Sequence, residues 1–350
     1  MNKEKDRYEF MRTRPFVQNA PITLYDYDPT QPLVSVIMPS YNYGAWTIAA
    51  IESICNQTYH NIEIILIDDG STDDTRETIK RFRREVSDRF VYIEKENEGV
   101  VKTMNKALEY VHGEYVTIMA SDDLLCPEKF AIQVDLLESL PHVDSVFCPQ
   151  YEMNAAGEIT GTRGFMKPYF VDLIGCGRND PIRPPDKWDV AELVLGAVAH
   201  PFMPQSSLTR TKVFRALKGF DEQTELDDID FNLRAALHGF IPRYHTDILH
   251  KVRIHGANAS GRPWWIYNET IASLDRFYSQ PDIPAKILKY RRYLHGLFLL
   301  GLAGNLRNVG NWREALVQYV KLLIFYPKQF FPTLTRYFSR MVRLSRGIHN

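Results

Sequence analysis

Several sequence features that would assign this chain to a specialised class are missing. The longest uninterrupted apolar run, near residues 296–304, is far shorter than the roughly 20 residues of a membrane-spanning helix. The first 14 residues are rich in charge, and the four cysteines form neither a CxxC pair nor a zinc-binding spacing. We therefore expect a cytoplasmic protein with reduced thiols and without a signal peptide or a transmembrane segment.

Two phosphate-binding signatures are also absent. The sequence contains no GxGxxG run, which is typical of dinucleotide-binding folds, and no GxxxxGK[ST] run, which defines a P-loop. If the protein binds a diphosphate, the expected holder is therefore a metal ion bound by carboxylates.

The composition and the hydropathy pattern predict a globular α/β protein. Hydrophobic residues make up 45% of the chain and charged residues 24%, which excludes a disordered or collagen-like chain. From residue 33 onward, runs rich in Val and Ile alternate with stretches of helical period, as in βαβ units that build a parallel sheet. A loop-rich stretch follows at 154–186. We predict strands at 33–38, 62–67, 90–93, 115–119 and 145–148, with crossover helices at 45–54, 73–86, 100–111 and 128–137.

Charge is distributed unevenly along the chain. Residues 281–350 contain twelve Lys and Arg but only two acidic residues, which makes this segment +10 and the remainder −11. Its cations alternate with aromatic and aliphatic side chains, a pattern typical of helices that lie on anionic lipid. We expect this region to contact an anionic surface at the inner face of the cytoplasmic membrane, and packing on the rest of the protein is the alternative. No recognition module accompanies the charge, so we expect no nucleic-acid partner.

Two acidic pairs follow predicted strands, where open parallel sheets bind their ligands. Asp68 and Asp69 end an apolar strand, and their burial is costly unless a partner such as a nucleobase or a ribose donates hydrogen bonds. A turn that leads into a capped helix is the alternative. Asp122 and Asp123 end a later strand, and because adjacent carboxylates repel each other, a divalent cation is the expected partner. A solvated loop is the alternative there.

A third acidic pair, Asp227 and Asp228, precedes apolar residues at helical spacing that end at Gly239. Both residues therefore lie at the N-terminus of a predicted helix. The helix dipole favours an acidic residue there but requires only one. A carboxylate at a rigid helix start can also act as a general base.

These motifs resemble those of the family 2 glycosyltransferases of GT-A fold. The nucleotide-binding half of that family resembles 34–42, 67–73, 97–99 with Asn105, and 121–123, and the acceptor half resembles 205–208, 219–222, 227–228 and 253–260. The match spans roughly residues 32–260 in the expected order. It implies inverting transfer of a sugar from a nucleotide-diphosphate donor, expected to be a UDP-sugar, with Mn²⁺ or Mg²⁺. The acceptor would be a hydroxyl of a glycan, a lipid-linked molecule or a protein.

The resemblance also implies roles for individual residues. Pro39 and Tyr41 would line the base pocket, Asp69 would contact the base, and Asp122 would contact the ribose. Asp123 would hold the metal ion.

In the acceptor half, the resemblance implies that Asp228 is the catalytic base. His255 would reach the metal or the diphosphate. Asp227 and Arg253 are further candidates near the acceptor or the diphosphate.

Two positions depart from the family pattern. The usual Asp two positions before Asp122 is Ala120, which leaves the implied metal ligand in place. The Arg often found before Asn105 is Met104, which leaves the diphosphate short of one cation. Lys102, two positions earlier, is the candidate for its replacement, and the alternative is that the cation is not replaced.

From these matches we divide the chain into an N-terminal extension (1–31), a catalytic domain (32–265) and a basic helical C-terminal region (266–350). The catalytic domain has a nucleotide-binding half (32–150) and an acceptor half (151–265). A nucleotidyltransferase is one alternative, although no Gly-rich basic loop follows the first strand to hold a triphosphate. A non-catalytic sugar- or nucleotide-binding homologue is another, although it should have lost Asp123 or Asp228.

Overall fold

The computed structural model describes residues 28–83, 90–164, 204–224, 227–256, 258 and 263–327. Strands and helices alternate along most of this chain, and the elements from residue 263 onward are helices. In chain order the elements are β1 (Val34–Ser40), α1 (Gly44–Cys55), β2 (Ile62–Asp69), α2 (Thr75–Arg83), β3 (Phe90–Lys95), α3 (Val100–Leu108), β4 (Tyr115–Ile118), β5 (Leu124–Leu125), α4 (Lys129–Ser139), β6 (Ser145–Phe147), β7 (Gln150–Met153), β8 (Ile159–Arg163), a 3₁₀ turn (Pro204–Ser206), β9 (Leu208–Arg210), α5 (Thr211–Leu217), α6 (Asp227–Leu237), β10 (Pro242–Tyr244), β11 (His250–Arg253), α7 (Pro263–Tyr278), α8 (Ala285–Leu288), α9 (Arg291–Asn308) and α10 (Trp312–Phe325).

The main sheet has seven strands in the order β10-β6-β9-β4-β1-β2-β3. β1 pairs in parallel with β2 and β4, β2 with β3, and β10 with β6. β9 runs antiparallel to both β4 and β6, so the other six strands point in one direction. Their carboxyl ends share one edge, which we call the carboxyl edge. A second sheet has the order β5-β11-β7-β8.

Helices cover both faces of the main sheet, which explains why β1 and β2 are near-continuous apolar runs. Val36 and Met38 of β1 belong to a buried cluster with side chains of α1 and α4. Ile37 points to the opposite face, into a cluster with side chains of α3, α5 and α6. The predicted α/β class and the covering helices are therefore confirmed.

The last helices pack on the rest of the protein through α6. Leu233 of α6, Phe277 of α7, Ile287 of α8 and Leu294 of α9 share one buried apolar cluster. α9 and α10 form an antiparallel hairpin, in which the start of one helix lies beside the end of the other. A helical C-terminal extension is therefore confirmed for residues 263–327. No described helix is both long enough and apolar enough to cross a lipid bilayer.

One part of the predicted loop at 154–186 is wrong. β8 pairs with β7 as a hairpin, and the turn between them is stabilised by the Asn154 side chain, whose oxygen accepts the N–H groups of Ala156 and Glu158. Gly157 completes the turn with a φ of 88°. These strands are short, so the local hydropathy pattern does not distinguish them from a loop. Residues 165–186, the end of the helix predicted at 73–86, most of the extension at 1–31 and residues 328–350 lie outside the described residues.

Candidate functional site

The polar segments that follow β1, β2 and β4 meet at the carboxyl edge. Ser40 at the end of β1 pairs with Asp68 at the end of β2, and β4 pairs with β1 on the other side. Asn42 adopts a left-handed conformation with a φ of 58°, which Asn tolerates better than most residues. Its side-chain oxygen accepts the N–H of Thr72 at 2.8 Å. The loops after β1 and β2 are thereby joined.

Asp122 is the centre of a buried polar group at this edge. Its Oδ2 lies 2.8 Å from His255 Nε2. The His255 ring lies beside two aromatic rings, with centroid distances of 4.6 Å to Trp46 and 5.5 Å to Tyr43. Burial is the main cause that raises the pKa of Asp122, the charge of Asp123 adds to the rise, and His255 opposes it. A carboxylate in this situation attracts a cation.

Asp123 is adjacent in sequence but belongs to a different network. Its Oδ2 lies 2.9 Å from Nε2 of His250, a fully buried residue. Its Oδ1 accepts the backbone N–H of Arg253 at 2.9 Å. Burial lowers the pKa of the His250 imidazole, and the bond to Asp123 opposes that change. Both oxygens of Asp123 therefore tie the turn after β4 to β11.

Arg253 is used mainly within the protein. Its guanidinium donates to the carbonyl oxygens of Asp122 at 2.8 Å, Ala155 at 3.0 Å and Asn154 at 3.3 Å. It also lies over the ring of Trp46, 5.4 Å from the centroid. Arg253 thus connects the turn after β4, the β7–β8 turn and α1. Burial lowers the pKa of Arg253.

Asp69 orders the turn that starts α3. Its Oδ1 accepts from Lys95 Nζ and from the N–H of Glu98, and its Oδ2 accepts from the N–H of Gly99 at 2.9 Å. Gly99 has a φ of 93°, a conformation that favours glycine. We predicted that Asp69 contacts the nucleobase. In the structure, both of its carboxylate oxygens already accept hydrogen bonds from the protein.

The other predicted nucleotide-binding residues differ in accessibility. Tyr41 follows β1 directly and is 44% exposed, so its ring can stack on a ligand. Pro39 lies within β1, opposite Ile67 of β2. Lys102 on α3 is half-exposed, with its Nζ 4.0 Å from Glu98 Oε1. Tyr41 and Lys102 are therefore the accessible members of this set, whereas Asp69 and Asp122 are buried.

Asp228 lies in the first turn of α6. This helix leads through Gly239 into β10, and a helix that feeds a parallel strand runs antiparallel to it. The start of α6 therefore points toward the carboxyl edge. Asp228 Oδ1 accepts the N–H of Ile229 at 2.7 Å, and burial raises the pKa of the Asp228 carboxyl. The side chain of Asp227 lies outside the described part of the chain.

A buried lysine holds the turn that precedes β9. Lys129 is fully buried at the start of α4, and its Nζ donates to Gln133 Oε1 and to the carbonyl oxygens of Ser206 and Ser207. Gln133 Nε2 donates to the same Ser206 oxygen at 2.9 Å. Because β9 is antiparallel to β4, this turn also lies at the carboxyl edge. Burial lowers the pKa of Lys129 to about 8.

Comparison with known proteins identifies the family. The sequence model described as Glycosyl transferase family 2 matches residues 35–203. The putative glycosyltransferase EpsE of Bacillus subtilis (strain 168) is 32% identical over 226 residues, which cover 63% of this chain and 73% of that protein. The chain belongs to glycosyltransferase family 2.

Other relatives share only part of their length with this family 2 chain. Two uncharacterized glycosyltransferases, of Rickettsia bellii (strain RML369-C) and Rickettsia felis (strain ATCC VR-1525 / URRWXCal2), are each 42% identical over 105 residues, or 30% of this chain. The matched part spans 15% and 17% of those two proteins.

Solved structures show the same fold at low sequence identity. S. aureus TarS 1–349 in complex with UDP-GlcNAc has a TM-score of 0.58 and 17% identity, covering 83% of this chain and 81% of that one. Mannosyltransferase PcManGT from Pyrobaculum calidifontis in complex with GDP-Man and Mn²⁺ has a TM-score of 0.55 and 19% identity, covering 97% and 93%. The family 2 chain therefore has the GT-A type of fold that the sequence predicted.

The residues at the carboxyl edge fit a divalent cation whose ligands come partly from the protein and partly from the substrate. Within the described ranges, no three His, Cys, Asp or Glu side chains converge as a self-sufficient metal site. Asp122 and His255, however, bring a carboxylate oxygen and an imidazole nitrogen together. Mg²⁺ and Mn²⁺ are commonly bound by few protein groups, with substrate phosphates and water as the other ligands.

The structure also reveals neighbours of the site that sequence reasoning did not single out. They are the aromatic residues after β1 and the polar or charged partners of the acidic pairs: Tyr43, Trp46, Arg76, Lys95 and His250. Asn258, which lies in the family-like segment 253–260, is a further partner of Asp122. The spacing of His255 and Asn258 is a local signal, since the Asn258 side chain accepts the His255 N–H. The pairing of His250 with Asp123 spans 127 positions and leaves no local signal.

Proposed function

We propose that this protein transfers a sugar from a nucleotide-diphosphate sugar, a UDP-sugar, to an acceptor hydroxyl with inversion of configuration. The acceptor belongs to a glycan, a lipid-linked molecule or a protein. The observation that carries the proposal is the Asp122–His255 pair at the carboxyl edge, toward which the start of α6 with Asp228 also points. The nucleotide sugars in the TarS and PcManGT complexes support a donor of this class.

The donor would lie along the carboxyl edge. We assign Pro39 and the exposed Tyr41 ring to the base, with Asp69 at the back of the pocket holding its wall in place. Lys102, half-exposed on α3, is the accessible cation for the diphosphate. Arg253 supports the pocket through its bonds to backbone carbonyls.

The metal assignment that we favour differs from the sequence expectation. Both carboxylate oxygens of Asp123 already contact His250 and Arg253, whereas Asp122 contacts His255. We therefore assign Mn²⁺ or Mg²⁺ to Asp122 and His255, with Asp123 as the residue that fixes the turn. A bound cation supplies Lewis-acid stabilisation of the charge that develops on a departing diphosphate.

Asp228 is our candidate for the general base. Its carboxylate takes the proton from the acceptor hydroxyl as that oxygen forms a bond to the anomeric carbon. The bond from the anomeric carbon to the diphosphate oxygen breaks on the opposite face, so an α-linked donor gives a β-linked product. Because burial raises the pKa of Asp228, the base is a stronger proton acceptor, and activity should be lost as the pH falls through the raised pKa.

The proposal is tested in two steps with the full chain. Thermal stabilisation by a panel of nucleotide sugars, measured with Mn²⁺ and with a chelator, identifies the donor. Asp228→Asn should then lower turnover by roughly 100- to 10,000-fold and leave donor affinity nearly unchanged, because the base acts in the transition state. Asp227→Asn distinguishes the two adjacent acids, since a comparable loss of turnover in this variant alone would make Asp227 the base.

Other outcomes would point to the alternatives. Release of pyrophosphate from a nucleoside triphosphate would identify a nucleotidyltransferase. Metal-dependent stabilisation by a nucleotide sugar, without turnover on any glycan, lipid-linked or protein acceptor, would favour a binding homologue.

A further inference from the structure

The outward side of α10 is apolar. Seven large apolar side chains on this helix are each 45–64% exposed, and all except the terminal Phe325 lie along one side, where four of them recur every fourth residue. We call the set on this side the α10 face. It consists of Trp312, Leu316, Val317, Val320, Leu323 and Ile324.

Packing among the described residues does not account for the α10 face. The helix contacts α7 and α9 through its other side, where Ala315, Tyr319 and Leu322 join clusters with Ile271 and Ala303. A helix packed on one side normally carries polar residues on the other. An exposed apolar patch of this extent marks a surface for a partner.

The charge around the α10 face is positive. α10 carries Arg313 and Lys321 against one acidic residue, and α9 beside it carries three arginines and no acidic residue. In the sequence, residues 328–350 contain five further cations and no acidic residue. Two copies that met through this face would bring the cations of α9 and α10 together, which like-charge repulsion opposes. A partner with an apolar interior and an anionic surface matches both properties.

We propose that the α10 face docks on an anionic lipid bilayer. α10 has 14 residues, which corresponds to about 21 Å, and is therefore shorter than the roughly 30 Å hydrocarbon core. The helix lies in the plane of the interface, with its apolar side chains at the headgroup boundary and the nearby cations against lipid phosphates. Trp312 begins the helix and the exposed Phe325 ends it, as suits aromatic residues at a membrane interface. This docking does not rest on sugar transfer.

Vesicle flotation with the full chain tests the proposal. The vesicles contain phosphatidylcholine alone or phosphatidylcholine with phosphatidylglycerol, at low and high salt. The protein should float with anionic vesicles at low salt, and salt should weaken the binding. The double variant Leu316→Ser/Ile324→Ser should reduce the bound fraction about ten-fold or more, because it removes two apolar side chains from the contact. Leu288→Ser, at an exposed leucine of α8 outside the α10 face, is the control and should bind normally.

A second readout locates the contact. Lipids with brominated acyl chains should quench tryptophan fluorescence in the parent protein, and Trp312→Phe should remove most of that quenching. Thermal melting followed by circular dichroism checks that each variant is folded.

Four results would overturn the proposal. One is no flotation with anionic vesicles at low salt, and another is flotation that the double variant leaves unchanged, which would assign binding to the cations of 328–350 alone. A dimer that the double variant dissociates would identify a second copy as the partner. Flotation that appears only after truncation at residue 327 would identify residues 328–350 as the cover of the face.

Discussion

The carboxyl edge of the main sheet and the α10 face depart from the usual distribution of residues in opposite ways. At the edge, Asp68, Asp69, Asp122 and Asp123 are buried, although acidic residues are rarely buried unless paired. On α10, large apolar side chains are exposed. The edge compensates for most of this burial internally, since each of the four carboxylates has a hydrogen-bond partner in the protein, although Asp68 Oδ2 has none among the described residues. The α10 face has no comparable compensation within the described residues.

The two regions therefore depend on a partner to different degrees. The edge has a preformed architecture that holds charge in place, so a ligand can use it without rearranging it. The exposed apolar side chains of the α10 face are stabilised only when a partner removes them from water.

The largest effect is expected when the adjacent residues Asp122 and Asp123 are substituted separately and the two variants are compared. Asp122→Asn should lower turnover about 1000-fold and remove the metal dependence of nucleoside diphosphate binding, because metal contacts are worth several kcal/mol in the transition state. Asp123→Asn should mainly lower the free energy of unfolding, by roughly 1–3 kcal/mol, because it leaves one buried partner without its acceptor. Steady-state kinetics, thermal shift with and without Mn²⁺, and urea unfolding measure these changes. The assignment is reversed if Asp123→Asn alone removes the metal dependence while stability is unchanged.

The second prediction concerns the buried amine at the edge. Burial lowers the pKa of Lys129 from 10.5 to about 8, so the native protein loses this proton at a lower pH than the unfolded chain. Stability relative to Lys129→Met should therefore rise between about pH 8 and pH 10.5, in total by roughly 3 kcal/mol. Urea unfolding at several pH values in this window measures the difference. Lys80→Met, at an exposed lysine of α2, is the control and should show a much smaller change with pH.

The third prediction compares two glycines within α9. A Cβ at position 301 would lie 2.3 Å from Tyr267 Cε1, whereas a Cβ at position 304 meets nothing within 4 Å. Gly301→Ala should lower the free energy of unfolding by about 1–3 kcal/mol through overpacking between α7 and α9. Gly304→Ala should raise it by about 0.5–1 kcal/mol through helix propensity. Thermal unfolding of both variants checks the contrast, which equal effects would contradict.

The smallest effect is expected for the α10 face itself. Leu316→Ser and Ile324→Ser should each change the free energy of unfolding by no more than about 0.5 kcal/mol in the absence of lipid, because both side chains are more than 60% exposed. Leu322→Ser, on the buried side of the same helix, should cost several times more. A large loss of stability at position 316 or 324 would mean that part of the protein already covers the face.

Much of the fold could be predicted because its signal is local. The Val- and Ile-rich runs of β1 and β2 and the helical periods between them indicate a sheet with both faces covered. The same argument gives the carboxyl edge as the place where Asp68, Asp122 and their neighbours meet. The hairpin of β7 and β8 could not be predicted in this way, because each strand is too short to show a hydropathy period.

The direction of individual side chains could not be predicted. Asp122 and Asp123 are consecutive, and only the geometry of the turn after β4 decides which of them meets His255 and which meets His250. The partners lie more than 120 positions away, so no local pattern contains them. Likewise, the sequence shows that α10 is apolar, but not which half of it packs on α9.

The antiparallel strand β9 has a consequence for how the chain can be divided. It is inserted between β4 and β6, so the strands contributed by residues after 140 reach the rest of the main sheet only through it. A fragment that ended at residue 150 would leave the β4 side of the sheet with unpaired N–H and C=O groups, an open template for association with other chains. We expect such fragments to aggregate when expressed alone and to become soluble when the complementary fragment is co-expressed. The two halves into which the sequence motifs divide the catalytic domain would then be a single folding unit.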